Sequence, residues 1–162
     1  MKHQKQLATA LLLAAACTMQ AQRSEALLEK NWKFSKGDFK EASQPEFNDT
    51  QWESVVLPHD WAIEGEFSKD NPSGTGGGAL PGGIGWYRKT FTVDKADEGK
   101  RLYIDFDGVY MNSEVFINGH SLGIRPYGYV SFSYDLTPHI KWGGKNVVAV
   151  RVDNAEQPNS RW

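Results

Sequence analysis

Three groups of residues in this chain have the types and spacing to do chemistry. The first is Gly74, Gly76 and Ala79, which match the spacing G-x-G-x-x-A of a dinucleotide-binding loop. Such a loop needs a buried strand before it and a helix after it, because the helix N-terminus holds the pyrophosphate on its free N–H groups. Here the polar, breaker-rich "EGEFSKDNPS" comes before, and "LPGGIG" comes after, where Pro81, Gly82 and Gly83 forbid a helix. No Lys-Ser or Lys-Thr pair follows to make a P-loop. The segment reads as a long glycine-rich loop between ordered elements, and loops of that length are usually functional or disordered.

The second group is His59, Asp60 and Trp61, in "WESVVLPHDWAIEGEF". Trp52, Val55 and Leu57 give a short apolar strand, and Pro58 stops its ladder. A His-Asp pair has the makings of an acid-base dyad, but a dyad also needs a pocket that faces substrate. The simpler expectation is structural: the pair and Trp61 tie down the loop that leads to the glycines.

The third group is the carboxylates. Retaining glycoside hydrolysis needs two carboxyls about 5–5.5 Å apart across one sugar. Nothing local fixes such a pair, and strand aspartates such as Asp105 and Asp107 are more often solvated or turn-bonding. His3, His59, His120 and His139 have no paired spacing, so no metal site is expected, and Asp105, Asp107 and Gly108 lack the remaining ligands of a calcium loop. There is no G-x-S-x-G elbow, and Cys17 is the single cysteine. No cofactor is called for. Asn48-Asp49-Thr50 is a formal glycosylation sequon that reads better as a turn before Trp52.

The elements that must position these residues read as strands. Leu102, Ile104 and Phe106 alternate with Tyr103, Asp105 and Asp107. Val115 and Ile117 lead into Asn118-Gly119, a positive-φ hairpin turn, and the chain returns through Leu122. Val148, Val150 and Val152 share one face of a strand, opposite Val147, Ala149 and Arg151. "WYRKTFTV" alternates from Trp86 to Val93. Only "PEFNDTQW" suggests a helical turn, with Asp49 or Thr50 as its cap. Many short strands separated by turn residues predict an all-β sandwich or jelly roll.

The chain opens with "MKHQKQLATALLLAAACTMQAQ": a basic start, a short apolar core, and a small residue at Ala21. Residues 1–21 read as a secretory signal cleaved before Gln22, too short for a membrane span. The run up to Cys17 also reads as a lipoprotein signal ending at residue 16, which would anchor the protein by a lipid. Secretion to the periplasm or cell surface is the expected location. Residues 22–162, about 140 of them, suit one domain. The formal net charge of −2 gives no footprint for nucleic acid or an anionic membrane. Six tryptophans are available either for the core or for stacking on the CH faces of sugars.

Taken together, "WESVVLPHDW", the glycine loop, "GWYRKTF", "FDGVYMNSEVFINGHSLG", "YGYVSFSYDLT" and "KNVVAVRVDN" resemble, in this order, the N-terminal domain of glycoside hydrolase family 2. The resemblance runs from Trp32 to Trp162, and is greatest to secreted β-galactosidases of the Bacteroidetes type; β-glucuronidases and β-mannosidases share the domain. It implies a jelly-roll, galactose-binding-like sandwich, the family's sugar-binding domain. In the family this domain is followed by an immunoglobulin-like domain and a TIM barrel that carries both catalytic glutamates. This chain stops at Trp162, so the expectation is a domain without catalytic residues of its own, inactive alone, that scaffolds the barrel and shapes its substrate entrance. By the same resemblance, Asn159, Ser160 and Arg161 lie near the sugar pocket. The Asn159 amide suits a sugar hydroxyl, and the Arg161 fork suits a carboxylate of the neighbouring barrel. Asn71, at the mouth of the glycine loop, is a further substrate-binding candidate, and the loop becomes a flexible wall beside a saccharide. The competing readings are a free-standing carbohydrate-binding module and an interaction domain that docks on another chain.

Overall fold

The computed structural model describes residues 23–156. Eight strands follow one another: β1 (Trp32–Lys36), β2 (Glu53–Val55), β3 (Ile84–Thr92), β4 (Tyr103–Phe106), β5 (Ser113–Ile117), β6 (His120–Arg125), β7 (Phe132–Asp135) and β8 (Lys145–Asp153). Six form one sheet in the order β2-β1-β3-β8-β5-β6, and β4 pairs with β7 in a second. Every pairing is antiparallel. The all-β sandwich expected from the alternation is the fold.

The period of two decides what each face buries. Trp32 and Phe34 of β1, Tyr87 of β3, Val148, Val150 and Val152 of β8, and Val115 and Ile117 of β5 point to one side. They meet Ile104 and Phe106 of β4, Phe132 and Tyr134 of β7, and Leu136. This is the core between the two layers. The opposite face of the large sheet is also covered. There Trp86, Ala149 and Phe116 pack against Ala42, Trp52, Phe39 and Phe47, because the segment between β1 and β2 folds over the sheet. Truncating a side chain as buried as Trp86 costs about 3–5 kcal/mol.

Arg88 fastens that covering segment. Its guanidinium lies on the covered face, donates to Asp49 Oδ2 at 2.8 Å, and spreads its other N–H groups over the carbonyls of Ala42, Gln44, Pro45 and Phe47. The helical turn expected in "PEFNDTQW" does not form. Asn48, and not Asp49 or Thr50, organises the chain here: its Oδ1 accepts from the Thr50 N–H at 3.1 Å and from the Thr50 hydroxyl at 2.7 Å. The result is the turn before Trp52 that the sequon suggested, closed by Trp52 N–H donating to Asp49 O. Asp49 is drawn instead to Arg88, a partner 39 residues away that no local pattern announces. The 3-10 turn of this region lies earlier, at Lys40–Ser43.

The hairpin is as read. Asn118 and Gly119 have φ of 49° and 86°, the two positive values that a tight hairpin between right-twisted strands requires. The Asn118 amide donates to His139 O and to Asn146 Oδ1, both at 2.8 Å, and its oxygen accepts from Val147 N–H at 3.0 Å. The turn is thereby locked to the start of β8.

Candidate functional site

The loop between β2 and β3 and the loop between β4 and β5 converge where β8 ends. Ile84, at the start of β3, pairs with Asp153, at the end of β8. Asn154 follows, is buried, and clamps the exit of the glycine loop twice: its Oδ1 accepts from Gly83 N–H at 2.9 Å, and its own N–H donates to Gly83 O at 3.0 Å. The loop between β4 and β5 arrives at the same point. Asp153 N–H donates to Met111 O, and the Asn112 amide donates to Asp153 O, each at 3.0 Å.

The glycines make the approach possible. A Cβ on Gly82 would stand 2.7 Å from the Asn154 carbonyl oxygen and 3.1 Å from Pro72 Cγ. That is closer than a side chain tolerates, so the backbone of the glycine loop reaches Asn154 only as glycine. The rest of the loop is held by its own side chains. The Asn71 amide donates to Glu66 O and Ala79 O, both at 2.8 Å, and the Ser73 hydroxyl donates to Leu80 O at 2.8 Å. Asn71 thus uses both N–H donors to fold the loop, which leaves its carboxamide oxygen. The residues after Gly74 form a short 3-10 turn, Thr75–Gly77, and β3 begins at Ile84, so neither the strand-before nor the helix-after of a phosphate loop exists.

His59, Asp60 and Trp61 lie in the loop that precedes this one, where His59 and Trp61 both pack on Phe34 and Asp60 bonds within the loop. His59 and Asp60 do not bond to each other. The imidazole, with its side chain 9% exposed, packs its ring 4.8 Å from Phe34 and joins Nδ1 to Tyr87 Oη at 2.9 Å. Its Nε2 has no hydrogen-bond partner among the described residues and lies 3.7 Å from Glu64 Oε1. With the proton on Nε2, Tyr87 O–H donates to Nδ1 and the N–H faces the carboxylate. Burial, and then the negative charges of Asp60 and Glu64, push the Tyr87 phenol far above its ordinary value, so it keeps its proton. Asp60 Oδ1 accepts from Ala62 N–H at 3.0 Å, an Asx turn. Trp61 is buried, stacks on Phe34, and carries the Lys36 ammonium 4.6 Å above its ring.

Asn159, Ser160 and Arg161 lie outside the described residues, as do residues 1–21, Cys17 among them. Among the described residues, no group of three or more His, Cys, Asp or Glu could hold a metal ion, and no helix is long and apolar enough to cross a membrane. Sequence reasoning missed Asn154. Its only signal was an Asn directly after a strand, which reads as an ordinary turn residue.

Comparison with known proteins fits this geometry. The family profile described as glycosyl hydrolases family 2, sugar binding domain, matches residues 77–161, a stretch that spans β3 to β8 and the convergence at Asn154. The chain is 70% identical over 140 residues to beta-galactosidase BoGH2A of Bacteroides ovatus, covering 86% of this chain and 16% of that protein. It is 36% identical over 159 residues to a beta-glucuronidase of Bacteroides fragilis, covering 95% of this chain and 20% of that one. Among solved structures, a beta-glycosidase from Bacteroides vulgatus superposes with a TM-score of 0.78 at 50% identity, over 83% of this chain and 18% of that chain. The chain therefore spans a fifth or less of the length of these relatives. It belongs to glycoside hydrolase family 2, of which it carries the N-terminal sugar-binding β-sandwich.

Proposed function

We propose that this domain serves a β-galactosidase-type hydrolase by walling one side of its saccharide site. The observation that carries this is the match of the sugar-binding-domain profile to residues 77–161, which include the point where the glycine loop and the β4–β5 loop are clamped to the end of β8. A rigid frame with loops gathered at one end is suited to contact with a ligand. The 70% identity to a protein named as a β-galactosidase favours a galactoside over a glucuronide. Hydrolysis belongs to the catalytic barrel of the parent enzyme, which this domain scaffolds together with an immunoglobulin-like domain. In this reading the Asn159 amide is suited to a sugar hydroxyl and the Arg161 fork to a barrel carboxylate, and the Asn71 oxygen supplies one acceptor at the loop mouth. Export through the basic and apolar leader places the protein in the periplasm or at the cell surface.

The test is saturation-transfer NMR on the pure 162-residue chain, with methyl β-D-galactopyranoside against methyl β-D-glucuronide. Signal from the galactoside is expected. A preference for the glucuronide overturns the sugar assignment, and turnover of an aryl β-galactoside by this chain alone overturns the division of labour.

A further inference from the structure

Three tyrosines stand on the surface beside this site. Tyr110 lies in the loop between β4 and β5, and Tyr127 and Tyr129 lie in the loop between β6 and β7. They are 41%, 58% and 58% exposed. The rings of Tyr110 and Tyr129 are 5.3 Å apart at 60°, and those of Tyr127 and Tyr129 are 5.7 Å apart at 62°. They form one contiguous aromatic surface with angled walls.

The cluster is held in place by backbone. Asn112 N–H donates to Pro126 O at 3.2 Å, which ties the two loops together. Gly128, buried between Tyr127 and Tyr129, lies so close to Tyr110 that a Cβ there would come within 2.5 Å of Tyr110 Cδ2 and 2.8 Å of its Cα. A Cβ on Gly108 would stand 3.2 Å from Gly128 O. Tyr110 is also one residue from Met111, whose carbonyl Asp153 holds. The tyrosines are therefore fastened to the same end of β8 as the glycine loop.

The geometry points to this cluster as the surface on which a β-linked oligosaccharide stacks. The inference rests on the sugar-binding reading above and assigns residues to it. An exposed tyrosine offers a flat apolar face and a polar tip, which matches a pyranose with its CH face and its rim of hydroxyls. The three rings are exposed, and a phenol hydroxyl can both donate to and accept from a sugar hydroxyl. The residues fall within the matched sugar-binding segment. Rings set at about 60° to one another offer separate faces to successive sugar units, so an oligosaccharide should bind better than a single sugar.

The experiment titrates the 162-residue chain, grown with carbon-labelled tyrosine, with methyl β-D-galactopyranoside and with a β-linked galactotetraose. The ring resonances of Tyr110, Tyr127 and Tyr129 are expected to move with the tetraose, at lower concentration than with the monosaccharide. Tyr129→Ala should weaken tetraose binding roughly tenfold, as loss of one stacked ring would. Tyr103→Ala, which removes an exposed ring on β4, should leave binding unchanged. If the wild type binds the tetraose without moving these resonances, or if Tyr103→Ala weakens it as much, the tyrosine surface is refuted while the sugar-binding reading stands. If the wild type binds neither sugar, both fall. The labelled wild type gives its answer whether or not the alanine variant folds.

Discussion

The Arg88 guanidinium, with its side chain 2% exposed, donates from Nε to Asp49 Oδ2 across 2.8 Å and thereby pins the segment between β1 and β2 onto the outer face of the sheet. Removing the cation strands a carboxylate and several carbonyls that were satisfied by it. Arg88→Met is expected to lower the free energy of unfolding by about 3–5 kcal/mol. Asp49→Asn leaves the arginine its carbonyl partners and should cost less, about 1–3 kcal/mol. Urea titration measures both, and equal mild losses would contradict the pinning role.

The Tyr87 phenol gives stability an alkaline limb. Its ordinary value is 10.0, and burial raises it in the folded chain. Above pH 10.0 the unfolded chain releases this proton while the folded chain retains it, so the unfolded state binds fewer protons. Stability must then fall as pH rises from there through the folded value. Tyr87→Phe should flatten this limb between about pH 10 and about pH 11.5, while costing about 1–2 kcal/mol at neutral pH because His59 Nδ1 loses its partner. Melts across that range decide it, and an unchanged slope would count against the assignment.

Asn154 should control the order of the glycine loop. Asn154→Ala removes the acceptor for Gly83 N–H and is expected to cost about 1 kcal/mol and to speed amide exchange across residues 66–83. Gly82→Ala drives a Cβ toward the Asn154 carbonyl and should have the same local effect with the side chain of Asn154 intact. Exchange mass spectrometry reads both variants; protection that stays at the wild-type level in each would exclude the clamp.

The proposal that residues 1–21 are a secretory leader is tested by their processing, which distinguishes a cleaved from a lipid-anchored form. Mass spectrometry of material from a secreting bacterial host is expected to show an N-terminus at Gln22. A diacylglyceryl adduct on Cys17 would replace that with a lipid-anchored form, and a retained Met1 would exclude export by this leader.

Much of the fold was legible because the signals are local. Period-two alternation located β3, β4, β5 and β8, and Asn118-Gly119 located the hairpin, since a tight turn between twisted strands admits few other pairs. The site was legible only in part. His59, Asp60 and Trp61 were placed in a tethering role, but their partners, Tyr87, the Ala62 amide and Phe34, come from the fold and not from the neighbouring sequence. Arg88 sits in an alternating strand where a charged residue normally marks the solvent side; here that side is covered by a segment from far along the chain. Tyr110, Tyr127 and Tyr129 lie among glycine, proline and asparagine in two separate loops, and only the folded chain puts their rings side by side.

The order of strands in the large sheet has a consequence for biosynthesis. β8 lies between β3 and β5, and among the described residues no other strand hydrogen-bonds the β2-β1-β3 half to the β5-β6 half. While the ribosome has yet to release residue 153, those halves expose two open edges with nothing to hydrogen-bond across them. A nascent chain is therefore most prone to wrong pairing in the interval before β8 emerges, and the insertion of a single strand closes both edges at once.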